Sequence, residues 1–254
     1  MKTSNLIGTS IRRTDVLDKV LGTTQYAQDF WMEGMLASGV LRSPHPSARI
    51  LAIHTTAAEH LPGVHAVMTA QDIPGQKLYG GPALLDHPIF ADEIIRYAGQ
   101  AIALVAAETH EQVEQALRLI EIEYELLPAI FDPLDALKPT APQIGTNGNI
   151  ASHEWLHQGD LEQGFAEADV IVEQTYHTTW IDHAPLEVEC GAAWPDERGG
   201  ITLRISTQSI EYQQQNAAVL ALPPDHVRVI CPMVGGAFGR KLDITVELYL
   251  ALLA

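Results

Sequence analysis

Three groups of residues have types and spacings that could do chemistry. The first is the run Gly235-Gly236-Ala237-Phe238-Gly239-Arg240-Lys241. Glycines let a backbone approach a bulky ligand and turn its N–H groups toward negative oxygens. The run lacks phosphate-loop spacing, because Leu242 follows the lysine, and it is not G-x-G-x-x-G. By residue type it is an anion-binding or cofactor-contacting loop, or a tight turn. The second group, His153-Glu154-Trp155-Leu156-His157, matches the H-E-x-x-H pattern of zinc peptidases. That chemistry needs a helix, so that both histidines reach one zinc at bonds of about 2 Å. Gly148 upstream and Gln158-Gly159-Asp160 downstream argue against a helix. Extended chain would hold the two histidines about 13 Å apart, beyond one ion. A surface strand is the expectation, with a zinc peptidase using His153 and His157 as an alternative. The third group is His183 with Asp182, Glu187 and Glu189. Such carboxylates could tune a general base, or form a polar strand edge or subunit contact. No G-x-S-x-G nucleophile elbow occurs.

The elements that must position these groups read as α+β. Ala48–Ile53, Val64–Met68 and the small-apolar run Ala101–Ala107 are strands, the last one buried. Met35–Leu41 is a further short apolar run, and Thr23–Tyr26 is β-prone. Thr109 and Gln112 form a capping box, and Val113, Ala116, Leu117 and Ile120 share one helix face. At Glu121 the period changes to strict alternation, so a strand with one wet face follows. Residues 132–149 carry Pro133, Pro139, Pro142, Gly145 and Gly148 and read as a linker. Beyond it come a short helix capped by Asp160, a strand-like stretch Val170–Thr179, and a hairpin around Glu197-Arg198-Gly199-Gly200. A helix within Ser209–Leu222, a strand Val227–Cys231, the glycine-rich run and a last helix from about Asp243 complete the chain. The expected division is an arm (1–14), a first domain (15–131), the linker (132–149) and a second domain (150–254).

Composition narrows the function classes. Of 254 residues, 46% are hydrophobic and 19% charged, which supports a packed core rather than disorder. A formal net charge of -17, with no basic run, argues against nucleic acid or an anionic membrane as partner. No stretch has the roughly 18 apolar residues of a membrane span. Met1–Thr14 lacks a signal-peptide core, and the two cysteines have no metal or redox spacing. The expectation is a cytoplasmic protein.

The glycine-rich run resembles the GG-x-FG-x-K loop of molybdenum hydroxylases, the xanthine dehydrogenase/aldehyde oxidase family. Ser206-Thr207-Gln208, about thirty residues upstream, resembles that family's glutamine motif. Ile7-Gly8, Arg12 to Gly22, Tyr26-Ala27-Gln28-Asp29, Ser43-Pro44, Ala48-Arg49-Ile50, Gly99-Gln100, Gly159-Asp160, Ala168-Asp169 and His183 are similar in order, so the resemblance spans nearly the whole chain. It implies an α/β-hammerhead domain followed by the beginning of a molybdopterin-binding domain. It implies hydroxylation of an aldehyde or N-heterocycle with water as oxygen source. The cofactors implied are a molybdenum-pterin cofactor here, and 2Fe-2S clusters and FAD on partner subunits. Gln208 would hydrogen-bond an oxygen ligand of molybdenum. Gly236, Phe238 and Gly239 would line the cofactor, the last two through backbone amides. Gln208 and Phe238 would thus sit beside the metal without ligating it.

Two positions depart from the family pattern. Arg240 stands where many members have glycine, and Leu242 stands where purine-oxidising members carry a glutamate. A leucine cannot accept a purine's hydrogen bonds, which makes Leu242 a substrate-pocket candidate that disfavours xanthine. The family's catalytic glutamate base is expected in a C-terminal half, so no catalytic residue is assigned here. Glu247–Ala254 ends without a cap, with leucines around the helix. The expectation is therefore a chain that needs that half as a partner and is inactive alone. The alternative is a truncated, non-catalytic or assembly product without cofactor.

Overall fold

The computed structural model describes residues 7–81, 84–145 and 148–254. The element order is α1 (Val16–Leu21), β1 (Ala37–Arg42), β2 (Ala48–His54), α2 (Thr56–Glu59), β3 (Val64–Thr69), β4 (Leu78–Gly81), β5 (Leu84–Pro88), β6 (Ile94–Ile95) and β7 (Ala101–Ala107). Then follow α3 (His110–Leu119), β8 (Glu121–Leu126), α4 (Pro133–Ala136), α5 (Leu161–Glu167), β9 (Gly191–Pro195), β10 (Ile201–Ile205), α6 (Gln213–Val219), β11 (Val227–Ile230) and α7 (Glu247–Leu253). The class is α+β, as the mixed patterning requires.

β7 is the centre of the first half. It pairs antiparallel with β1 on one side and β3 on the other, and every residue in it is buried. Ala103, Val105 and Ala107 pack with Val113 and Ala116 of α3 and with Ile120 just after it. Leu104 faces the opposite way, into a cluster with Phe90, Val219 and Leu248. Small side chains on one face let α3 approach closely, and the continuous apolar run is what a strand covered on both faces needs. The capping box of α3 forms as spaced: Gln112 N–H donates to Thr109 Oγ1 at 3.2 Å and Thr109 N–H to Gln112 Oε1 at 2.9 Å. β8 alternates in burial and pairs with β2, which β6 flanks on its other side. β4 and β5 form a separate hairpin.

The second half has one three-stranded sheet, in the order β11-β10-β9. β9 and β10 are the expected hairpin, whereas β10 and β11 run parallel with α6 between them in sequence. The halves share a core. Val219, Ile244 and Leu248 pack with Phe90 and Leu104 of the first half, and the Gln215 side chain bonds both the N–H and the C=O of Gly80.

Several expectations change. The β-prone residues 23–26 form no strand; Thr23 N–H returns to Asp18 O and Tyr26 N–H to the Asp29 carboxylate. Val170–Thr179 is also not a strand, because no described segment lies beside it, and its side chains are exposed. Residues 209–222 form a 3-10 turn followed by the shorter helix α6. The last helix begins at Glu247, whose carboxylate takes the Thr245 and Val246 N–H groups just ahead of it. In the proline-rich stretch, Asn149 donates to Ala136 O and Pro142 O and accepts from Ile144 N–H, which ties the described parts of it together. Residues 1–6 of the arm lie outside the described residues.

Candidate functional site

Because β10 and β11 are parallel, their carboxyl ends open on the same side of the sheet. Ligands of open α/β sheets collect at such ends. β10 runs on into Ser206-Thr207-Gln208, and β11 leads to the loop Gly235–Gly239. The two stretches are laced together. Gln208 N–H donates to Lys241 O at 2.8 Å, Thr207 Oγ to the same oxygen at 3.4 Å, and Cys231 Sγ to Thr207 O at 3.3 Å. The Gly239 N–H donates to Gln208 Oε1 at 3.1 Å. A backbone N–H can only donate, so this bond fixes the amide's orientation: its oxygen faces the loop and its NH2 end is the donor left for other groups.

The loop has unusual backbone. Gly236 and Gly239 have φ of 111° and 96°, and Phe238, between them, has φ of 54°. A non-glycine residue there costs about 1–3 kcal/mol and persists only where surroundings enforce it. Packing does not enforce it by burying the ring, since Phe238 is 76% exposed. Of the three positive-φ non-glycine residues described, Ala184 also lies at this site: its neighbour Pro185 is within 3.5 Å of where a Gly236 Cβ would be. The N–H groups of Gly236, Ala237 and Phe238 meet no acceptor among the described residues. Consecutive free N–H groups of this kind are suited to an anion. The Gly239 N–H is instead taken by Gln208 here, so the amides without an acceptor are those of Phe238 and its two predecessors.

Beneath the loop lies a buried ion pair. Lys241 Nζ is 2.7 Å from Glu187 Oε2, with side chains 1% and 4% exposed. The same oxygen accepts from Ser206 Oγ at 2.6 Å and from Gly235 N–H at 2.7 Å, and Lys241 also donates to Ser206 Oγ at 3.0 Å. Burial alone raises the Glu187 carboxyl, but the bonds from Lys241, Ser206 and Gly235 outweigh it and hold its pKa below the usual range. Residue 235 must be glycine for this packing, since a Cβ would fall 2.7 Å from that of Glu187.

The group around His183 is therefore used differently from a tuned base. Arg240 Nε reaches Glu189 at 2.6 Å and its NH1 reaches Asp182 at 2.9 Å. All three carboxylates thus serve the cations at the end of the loop. His183 lies against Gly239, where a Cβ would come within 3.5 Å of its Nε2. The buried pair was not legible from sequence. The available signal was a lysine within a largely apolar stretch, which needs a carboxylate partner once buried. Leu242 closes the 3-10 turn Arg240–Leu242 and is half exposed beside the loop.

His153 and His157 are exposed and in no helix or strand, so the zinc pattern lacks its scaffold. Among the described residues no group of three His, Cys, Asp or Glu could hold a metal, and no helix is long and apolar enough to cross a membrane. A cleft of about 530 Å³ lies away from the loop, lined by Phe30, Met35, Cys190, Trp194, Leu250 and Leu253. It brings together none of the predicted site residues; the strained loop and its free amides weigh more than cleft size.

Known proteins share both halves of this chain. Residues 21–128 match the family model of the aldehyde oxidase and xanthine dehydrogenase a/b hammerhead domain. Residues 144–254 match the molybdopterin cofactor-binding domain. The chain is 38% identical over 243 residues to a probable xanthine dehydrogenase subunit of Bacillus subtilis, covering 95% of this chain and 32% of that protein. It is also 38% identical to the nicotinate dehydrogenase large molybdopterin subunit of Eubacterium barkeri, covering 99% of this chain and 59% of that one. The aldehyde oxidoreductase of Desulfovibrio desulfuricans superposes with a TM-score of 0.87 at 26% identity, over 97% of this chain and 29% of that one. This chain spans less than two thirds of each. With its hammerhead domain followed by a molybdopterin cofactor-binding domain, the chain belongs to the xanthine dehydrogenase/aldehyde oxidase family of molybdenum hydroxylases.

Proposed function

We propose that this chain forms one wall of the cofactor site of a molybdenum hydroxylase that oxidises an aldehyde or an N-heterocycle. The observation that carries the reading is the loop Gly236–Gly239: three free N–H groups, a strained exposed Phe238, and the Gln208 amide held against it. These residues fit an anionic molybdenum-pterin group. The N–H groups of Gly236, Ala237 and Phe238 would bind its oxygens, and the NH2 end of Gln208 would donate toward the metal's surroundings. Bound there, the cofactor supplies a two-electron oxidation with water as oxygen source. The protein's part is orientation and charge.

Leu242 offers no acceptor, which favours aldehydes or heterocycles other than purines. The relatives fall on both sides of that line, with a nicotinate dehydrogenase subunit, a quinoline 2-oxidoreductase and aldehyde oxidoreductases beside a probable xanthine dehydrogenase subunit, so the narrowing rests on Leu242 alone. In this reading the domain boundary falls within 132–149, and the catalytic base comes from further sequence outside this chain. That sequence would also cover the exposed apolar side chains between Trp155 and Val188. Electrons would leave through 2Fe-2S and FAD subunits, in the cytoplasm.

Elemental and pterin analysis of the protein purified from its native host tests the reading. Stoichiometric molybdenum with pterin is expected. Stoichiometric zinc would favour the peptidase alternative, and no metal or pterin would favour an assembly module.

A further inference from the structure

One oxygen atom joins the beginning and the end of the loop to the strand end that carries Gln208. Glu187 Oε2 takes Gly235 N–H, Lys241 Nζ and Ser206 Oγ, all within 2.7 Å. Lys241 O in turn holds the Gln208 N–H. Gly235 opens the loop, Lys241 follows it, and Ser206 lies two residues before Gln208. A displacement of this carboxylate would move both walls of the site relative to each other.

Stability alone accounts poorly for the cluster. Two buried charges of this kind are often replaceable by apolar groups with no loss of stability. The other carboxylate oxygen, Glu187 Oε1, is buried with no partner in the described residues, a further cost. Groups that orient a cofactor's contacts are a known use for such costly arrangements.

We propose that Glu187, with Lys241 and Ser206, is a positioning residue: it sets the separation between the Gln208 turn and the Gly235–Gly239 loop, and so the seating of the cofactor between them. This rests on the function proposed above. None of the three side chains is assigned contact with the reacting atoms.

The test uses the intact enzyme containing this chain. Glu187→Gln alone strands a buried lysine and puts folding at risk, so the informative change is Glu187→Gln with Lys241→Met, which removes both charges and keeps the volume. Glu187→Asp is the companion, since it keeps the charge but withdraws the oxygen by one methylene. Thermal melting, molybdenum content, the Mo(V) electron paramagnetic resonance signal, and kcat with KM are read together. The double variant is expected to fold and to retain molybdenum, with a shifted Mo(V) signal and kcat lower by about 10- to 100-fold. Glu187→Asp is expected to shift the signal in the same sense. Molybdenum retained with unshifted signals and wild-type kcat in both variants would overturn the inference. If the double variant does not fold, Glu187→Asp decides by the same readouts. A wild-type enzyme without molybdenum would instead overturn the functional reading, and this inference with it.

Discussion

Ala101–Ala107 and the segment from Trp155 to Val188 make opposite use of apolar residues. The first is buried along its whole length between β1 and β3. The second is no less β-prone at Val170-Ile171-Val172, yet these three are 77%, 61% and 79% exposed, and Trp155 and Leu156 are exposed further. Residue type is similar in the two, while neighbours differ. A strand needs partners on its edges and a cover on its faces, and of these two segments only β7 has them among the described residues. Apolar surface of this extent on a protein marks a place where something else packs.

The contrast can be broken by substitution. Leu104→Ala should cost about 2–5 kcal/mol of stability, by lost burial and the cavity left behind. Trp155→Ala in the same chain should stay within about 0.5 kcal/mol, as for an exposed site. Chemical denaturation checks both, and equal losses would show that the 155–188 segment is packed after all. Limited proteolysis sharpens the same point. Cleavage should fall within 155–188 in this chain and spare β7, whose amides should also exchange with solvent most slowly.

Two buried carboxylates near the site give a smaller, signed effect. Glu187 is held below its usual range by its donors, so its contribution to stability is present above the unfolded value, near 4.3, and is lost as pH falls through its folded pKa. Burial is the leading cause at Glu247 and moves it upward, against the backbone N–H groups of its own turn. It therefore subtracts stability as pH rises from about 4.3 through its folded pKa. Denaturation from about pH 3 to pH 8 should show Glu247→Gln flattening the fall at higher pH. A variant whose profile matches the wild type would contradict that assignment. The smallest effect is expected at Arg240→Gly. Its pair with Asp182 is exposed and its pair with Glu189 partly so, which makes each worth about 0–1 kcal/mol, so the melting midpoint should move little.

Much of this was legible in the sequence because it is local. The Thr109–Gln112 capping box, the alternation of Glu121–Glu125, the hairpin at Glu197–Gly200 and the continuous run of β7 each carry their own signal. The loop and Gln208 were legible by resemblance, and the structure adds that Gly239 spends its N–H on Gln208. What could not be read was non-local. Nothing in the order of residues links Glu187 to Lys241, 54 positions later. Equally, β-propensity at Val170–Thr179 could not reveal that no described strand lies beside it.

The central claim is that Gln208 and the Gly236–Gly239 backbone face a molybdenum cofactor. Gln208→Ala in the intact enzyme tests it most directly, with molybdenum content and turnover measured on one preparation. Retained molybdenum with turnover lower by about 10- to 100-fold is the predicted result. Molybdenum content and turnover both unchanged would contradict it.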